Sequence, residues 1–171
     1  MRALIVLIGE AFRDVENNKD KKRGLPHTYD DQMVACKSHI EFINMLSTKY
    51  NIVADVVVDT YTTQYDSDLI NIYMPHLKHN HFHPYLLGWD NIYFHSLTII
   101  KDILDDYDFV HYFRIDLFLK PFFINNFVYI NKVRFSSVCF TKSNYHLYNG
   151  LPRIADMMVY VPKLYYRLFH D

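Results

Sequence analysis

The sequence predicts an α/β fold, a single domain over residues 1–171 with a mostly parallel central sheet flanked by helices. Two short apolar runs, residues 4–8 and 109–113, have the length and the β-branched and aromatic character of buried strands. Long stretches of helical period lie between the apolar runs. The order strand, helix, strand from residue 4 to residue 58 makes a βαβ unit, whose two strands are parallel and joined by a right-handed crossover.

Taken in order, residues 4–8 form the first strand, and Gly9 ends it. The segment Gly9-Glu10-Ala11-Phe12-Arg13 carries the chain out of the sheet with a cation on it. The basic run at residues 19–23 reads as a solvated loop. A helix is expected over 29–50, capped by Thr28 or Asp30, with Met33, Cys36, Ile40, Ile43 and Leu46 on its apolar face. Ser38 and His39 read as ordinary helix positions. The second strand runs over 52–58, interrupted by Asp55, and leaves the sheet through Asp59, Thr60, Tyr61, Thr62 and Thr63. Asp66-Ser67-Asp68 is a literal Asp-x-Asp, but the apolar residues behind it make it the cap of a short helix.

Residues 75–88 hold His76, His79, His81 and His83 between prolines and Gly88, and read as a polar loop. Zinc or copper is the alternative for these imidazoles, although no cysteine is near to complete a structural set. A second long helix is expected over 89–107, followed by the strand at 109–113. Residues 117–127 form an apolar connection, 133–140 another strand and 145–152 a loop. A last strand at 157–161, with Asp156 just before it and Pro162 closing it, leads into a helix from 163 to 169.

Composition narrows the function classes. Half of the 171 residues are hydrophobic and 17% are aromatic, as suits a chain that builds a packed core. The formal net charge of −1 gives the whole molecule no attraction to nucleic acid or an anionic membrane. Cys36 and Cys139 stand at unrelated spacing and suggest a reducing compartment. The amino terminus reads as a first strand and not as a signal peptide, and no apolar segment reaches the length of a membrane span. A cytoplasmic protein is expected. Phosphate loops of the Gly-x-x-x-x-Gly-Lys type, Gly-x-Gly-x-x-Gly turns and Gly-x-Ser-x-Gly elbows are all missing from the sequence.

The chemistry concentrates after residue 113. Arg114 and Asp116 stand one residue apart where the apolar run leaves the sheet. Opposite charges are costly in a strand core, but they fit the crevice outside the carboxyl ends of α/β strands. Asp116 offers oxygen to a hard divalent cation, and Arg114 offers a fork to phosphate or to that carboxylate. A plain structural ion pair is the other reading. Arg13, Thr60 and Tyr61, and Asp156 are expected at the same sheet edge, supplying a cation, a hydroxyl, a ring and a carboxylate. Those are the parts that a metal-bound nucleotide diphosphate needs.

Several segments resemble small GT-A-type glycosyltransferases, in particular those that large DNA viruses such as the chlorella viruses encode to decorate capsid glycans. They are Ile8-Gly-Glu-Ala-Phe-Arg13, the Tyr-Asp-Asp-Gln-x-x-x-x-Lys-Ser-His-Ile of the first helix, and Asp59-Thr-Tyr-x-Thr63. The strand ending Arg-x-Asp-Leu, and Ile154-Ala-Asp156 ahead of Val161-Pro162, complete the set. The resemblance implies a single GT-A-like, Rossmann-like domain that moves a sugar from a nucleotide diphosphate, UDP-sugar being the expected donor, to a hydroxyl of a glycan or glycoprotein. It implies Mn2+ or Mg2+ held by Asp116, with Arg114 standing where the family type usually has the first Asp. Gly9, Arg13, Thr60 and Tyr61 would hold the nucleotide, and Asp156 would face the sugar or the acceptor hydroxyl, as general base if the reaction inverts. Viral origin would put the protein in the host cytoplasm. Part of the acceptor site is expected from a further domain or partner.

Two rival classes use the same residues differently. A carbohydrate-binding module would stack sugars on its tyrosines without nucleotide or metal. A metal-dependent hydrolase or nucleotidyltransferase would gather Asp116, Asp66 and Asp68 around two ions about 4 Å apart.

Overall fold

The computed structural model describes residues 1–13, 24–84, 89–129, 131–135, 147–148, 151–152 and 158–170. In order they form β1 (Arg2–Gly9), α1 (Thr28–Tyr50), β2 (Val53–Tyr61), α2 (Asp66–Tyr73), β3 (Leu77–His83) and α3 (Trp89–Ile100). A 3-10 turn at Lys101–Asp106 leads to β4 (Phe109–Arg114), α4 (Pro121–Asn125), β5 (Arg134–Phe135), β6 (Leu147–Tyr148) and β7 (Leu151–Pro152). The chain continues through β8 (Met158–Pro162) and a 3-10 turn at Lys163–Tyr165 to α5 (Tyr166–His170). The expected α/β fold is present. Six strands form one sheet in the order β3-β2-β1-β4-β8-β5. The pairs β2–β3, β1–β2 and β1–β4 are parallel, and β8 runs antiparallel to β4 and β5.

Period-two alternation divides the core between the two faces of this sheet. Ala3, Ile5 and Leu7 join Val56, Val58, Phe109 and Phe113 on the face covered by α1, α2 and α4. Leu4, Val6 and Ile8 join Val57, Val110 and Tyr112 on the face covered by α3 and α5. Central strands buried on both sides read as continuous apolar runs, as β1 does. Phe42 of α1 anchors the first face, with the rings of Phe113, Phe123 and Phe127 between 5.4 and 5.6 Å from its own. Deleting such a ring costs about 3–5 kcal/mol. Helix α1 ends as a helix should, with Asn51 in the left-handed conformation and its N–H bonded to the carbonyl of Ser47.

Asp55, the apparent interruption in β2, lies at the amino edge of the sheet. It accepts from the Arg2 guanidinium at 2.8 Å and the Tyr107 hydroxyl at 2.7 Å.

Some boundaries differ from the sequence reading. The polar stretch 75–88 is not all loop, because Leu77–His83 is a strand. It lies at the edge of the sheet, so main-chain pairing with β2 suffices, and its mostly exposed His, Asn and Lys side chains blunt the edge. β2 runs on through Tyr61, so Asp59, Thr60 and Tyr61 belong to the strand and not to its exit. Of the strand expected at 133–140, Arg134–Phe135 is seen, Val133 precedes it outside the ladder, and residues 136–140 lie outside the described residues. The apolar connection contains the short α4, which begins at Pro121.

Candidate functional site at the carboxyl rim

Helix α1 follows β1 on one face, whereas α3 crosses the other face to deliver β4 to the far side of β1. The strand order therefore reverses between β1 and β4, and in open α/β sheets the crevice outside that point is where ligands bind. Register brings the expected residues to this rim, since Gly9 pairs with Thr60 and Ile8 lies between Asp59 and Arg114.

The turn after β1 is tightly specified. Gly9 has φ 107°, a conformation that a side chain would strain, and Phe12 adopts a left-handed φ of 52° although it is not glycine. Phe12 tolerates this because it is buried against the rings of Tyr29 and Tyr65, 5.9 and 4.9 Å away. The Thr60 hydroxyl donates to the Gly9 carbonyl at 2.7 Å and accepts from the Ala11 N–H at 3.1 Å. Thr60 and Tyr61 are thus both buried, Thr60 bracing the turn and Tyr61 packing 5.9 Å from the His83 ring. Arg13 is half-buried, with Nε 4.0 Å from Glu10.

Helix α1 also grips the segment after β4, at every second residue. The buried Gln32 donates through Nε2 to the Ile115 carbonyl at 2.8 Å and accepts the Phe12 N–H at 3.0 Å, joining the two loops that flank the crevice. His39 donates through Nε2 to the Leu117 carbonyl at 2.7 Å, while Nδ1 accepts the Tyr73 hydroxyl proton at 2.8 Å. Ser38 accepts the Leu119 N–H at 2.9 Å. Complete burial lowers the His39 pKa to about 4, so the ring works as a neutral strut. Ser38 and His39 are therefore not ordinary helix positions.

Residues 115, 117 and 119 are held by this helix, and Asp116 between them projects from the rim beside Arg114. The guanidinium grips the carboxylate with both prongs, Nε to Oδ1 at 2.9 Å and Nη2 to Oδ2 at 2.5 Å, each side chain retaining about a fifth of its exposure. An ion at Asp116 would have to compete with Arg114 for both oxygens. One carboxylate completed by phosphate and water is a donor set that Mg2+ or Mn2+ accepts. Asp156 lies outside the described residues. Asp66 accepts from the Thr63 N–H at 2.8 Å and the Thr62 hydroxyl at 2.5 Å, so it is occupied in shaping the entry to α2.

Farther along the same rim, three imidazoles converge, two from the stretch that reads as loop in the sequence and one from a helix. His81 and His83 come from β3 and His95 from α3, with one ring nitrogen of each within 4.8 Å of the others, so the cluster could bind a metal. Asp59 of β2, fully buried, sits beneath them. The alternation His81-x-His83 was visible in the sequence, but the contribution of α3 was not.

A separate cavity of about 270 Å³ opens on the α4 face, lined by His111, Phe123, Phe127 and Tyr160 among others. His111 Nδ1 is buried there without a hydrogen-bond partner. None of the rim residues lines it.

No family model matches the chain, and no curated protein matches it. Among solved structures, it is similar to a crystal structure of a candidate nucleotide-diphospho-sugar transferase from Desulfovibrio desulfuricans. Identity is 14%, the match covers 70% of this chain and 49% of that one, and the TM-score is 0.38. The chain thus spans about half the length of that protein.

Proposed function

We propose that the carboxyl rim binds a nucleotide-diphospho-sugar and that the protein is a glycosyltransferase passing the sugar to a glycan hydroxyl. The observation that carries this reading is the Arg114–Asp116 pair, partly exposed beside the strand-order reversal and joined to the turn after β1 through Gln32. A paired guanidinium and carboxylate at that place is neutral at rest and offers both signs of charge when it opens. Arg114 meets the diphosphate, and Asp116 holds the Mg2+ or Mn2+ that accompanies it. That ion would offset the charge gathering on the departing diphosphate. The backbone of the Gly9 turn and the side chain of Arg13 face the nucleotide, with Thr60 and Tyr61 bracing the floor from within β2. Asp156 serves as general base for the acceptor hydroxyl.

A thermal-shift panel of nucleotides and nucleotide-sugars, with and without Mn2+, tests the reading. One nucleoside diphosphate and its sugar conjugates raise the melting temperature by mass action, and Asp116→Ala removes the part of the shift that depends on Mn2+. A shift caused by free sugars and indifferent to nucleotide and metal would overturn it in favour of a sugar-binding module.

A further inference from the structure

Asp59 presents a carboxylate with no solvent exposure, and such a group needs partners. It finds two. His83 donates through Nε2 to Oδ1 at 2.7 Å, and His95 donates through Nδ1 to Oδ2 at 3.0 Å. A carboxylate only accepts, so these bonds fix both tautomers. His83 keeps its lone pair on Nδ1, and His95 keeps its lone pair on Nε2. Compensation of Asp59 accounts for those two rings but not for the third. His81 stands two residues before His83 on the same side of β3, its centroid 4.4 Å from each of the other two rings. One ring nitrogen of His81 lies within 4.8 Å of a ring nitrogen of each of the others, so one cation can be shared by all three.

We infer that His81, His83 and His95 form a binding site for a transition-metal ion, with Asp59 orienting two of the three ligands. A histidine ligand whose second N–H is held by a carboxylate is the usual arrangement around zinc, since the carboxylate fixes the ring and raises its basicity. Three neutral imidazoles suit Zn2+ and its neighbours Co2+, Ni2+ and Cu2+, and not Mg2+ or Ca2+, which take oxygen. Zn–N bonds of about 2.0–2.1 Å place tetrahedral ligand nitrogens roughly 3.3 Å apart. The present spacing, within 4.8 Å, therefore closes by at most about 1.5 Å on loading. Three protein ligands leave a fourth position for water or a substrate oxygen, on the side where His81 is exposed.

The site belongs to the same rim as Arg114. Asp59, Ile8 and Arg114 lie in one register row across β2, β1 and β4, and two strand spacings put the outer Cα atoms roughly 10 Å apart. Alternation directs both side chains to the face covered by α3. The site shares no ligand with Asp116, so it stands independently of the transferase reading.

The 171-residue chain, stripped with chelator and dialysed, is titrated with Zn2+ in a calorimeter, and with Co2+ while visible absorption is followed. One ion per chain, with the intense d–d bands of four-coordinate cobalt, is the expected result. His81→Ala abolishes tight binding while the metal-free protein melts as the wild type does, because His81 is exposed and Asp59 keeps both of its partners. Asp59→Asn weakens binding roughly 10- to 100-fold. Asp116→Ala leaves Zn2+ binding unchanged and affects only the response to nucleotide-sugar, which separates the two readings. Absence of stoichiometric binding, a six-coordinate cobalt spectrum, or unchanged affinity in His81→Ala would overturn the site and leave the rings as mere partners of Asp59.

Discussion

Replacing Gln32 by methionine keeps the volume of the side chain and removes its hydrogen bonds to the two loops. In the native protein those bonds satisfy the Phe12 N–H at 3.0 Å and the Ile115 carbonyl at 2.8 Å, and Gln32 itself is 3% exposed. Each buried group left without a partner costs about 1–3 kcal/mol. The sum is about 2–6 kcal/mol, a large share of the 5–15 kcal/mol that typically holds a domain folded. The loss also frees Phe12 from a left-handed conformation that costs about 1–3 kcal/mol to hold. The turn after β1 should therefore relax, and the crevice should lose its shape before the domain unfolds. Urea unfolding followed by tryptophan fluorescence and circular dichroism measures the effect. With a slope of about 1–3 kcal/mol per molar, the midpoint should fall by about 1 M or more. A midpoint within about 0.3 M of the wild type at an unchanged slope would refute the idea that Gln32 ties the two loops together.

Acid should destabilise the fold through its buried histidines. Burial lowers the pKa of His39 to about 4 and that of His111 to about 3, whereas the unfolded chain titrates near 6.5. The unfolded state therefore takes up protons first, so the stability that these rings contribute is complete above pH 6.5 and is lost as the pH falls toward 4 and 3. The loss amounts to several kcal/mol. His111→Phe, which also removes an unpartnered buried nitrogen, should flatten the pH dependence of the urea midpoint, and an unchanged profile would count against it. Tyr107→Phe deletes the hydroxyl that donates to Asp55 at the opposite edge of the sheet. It should cost about 1 kcal/mol in urea unfolding and leave nucleotide-sugar binding untouched. A loss of binding would mean that the ligand does not sit at the carboxyl rim.

How much of this was legible in the sequence depended on how each residue is satisfied. β1, α1 and β4 were readable because their burial is two-sided or strictly periodic. β3 was not, because an edge strand needs no apolar run, and Lys78, His79 and Asn80 look like loop when only hydropathy is considered. The positions of Arg114 and Asp116 at a strand end were legible, since charges do not belong in a buried strand. Their mutual grip was not, because whether a carboxylate faces a ligand or its neighbour is a matter of geometry. Gln32, Ser38 and His39 carried a faint signal, as polar residues beside Ala35, Cys36, Phe42 and Ile43 on the inward side of α1. Recognising their partners at 115, 117 and 119 required knowing that β4 passes beside that helix, some eighty residues later. The same holds for His95, which meets His81 and His83 only because α3 crosses the sheet over β2.

The most direct measurement of the central claim is calorimetric titration of the intact chain with a UDP-sugar and Mn2+, comparing wild type with Arg114→Ala. Opening a bidentate pair to admit a diphosphate predicts saturable binding in the wild type. It predicts a loss of at least tenfold in the variant, since charge-assisted contacts are worth about 1.5–3 kcal/mol each. Equal affinity in both proteins, or heat from the sugar alone, would contradict a nucleotide-diphosphate site between β1 and β4.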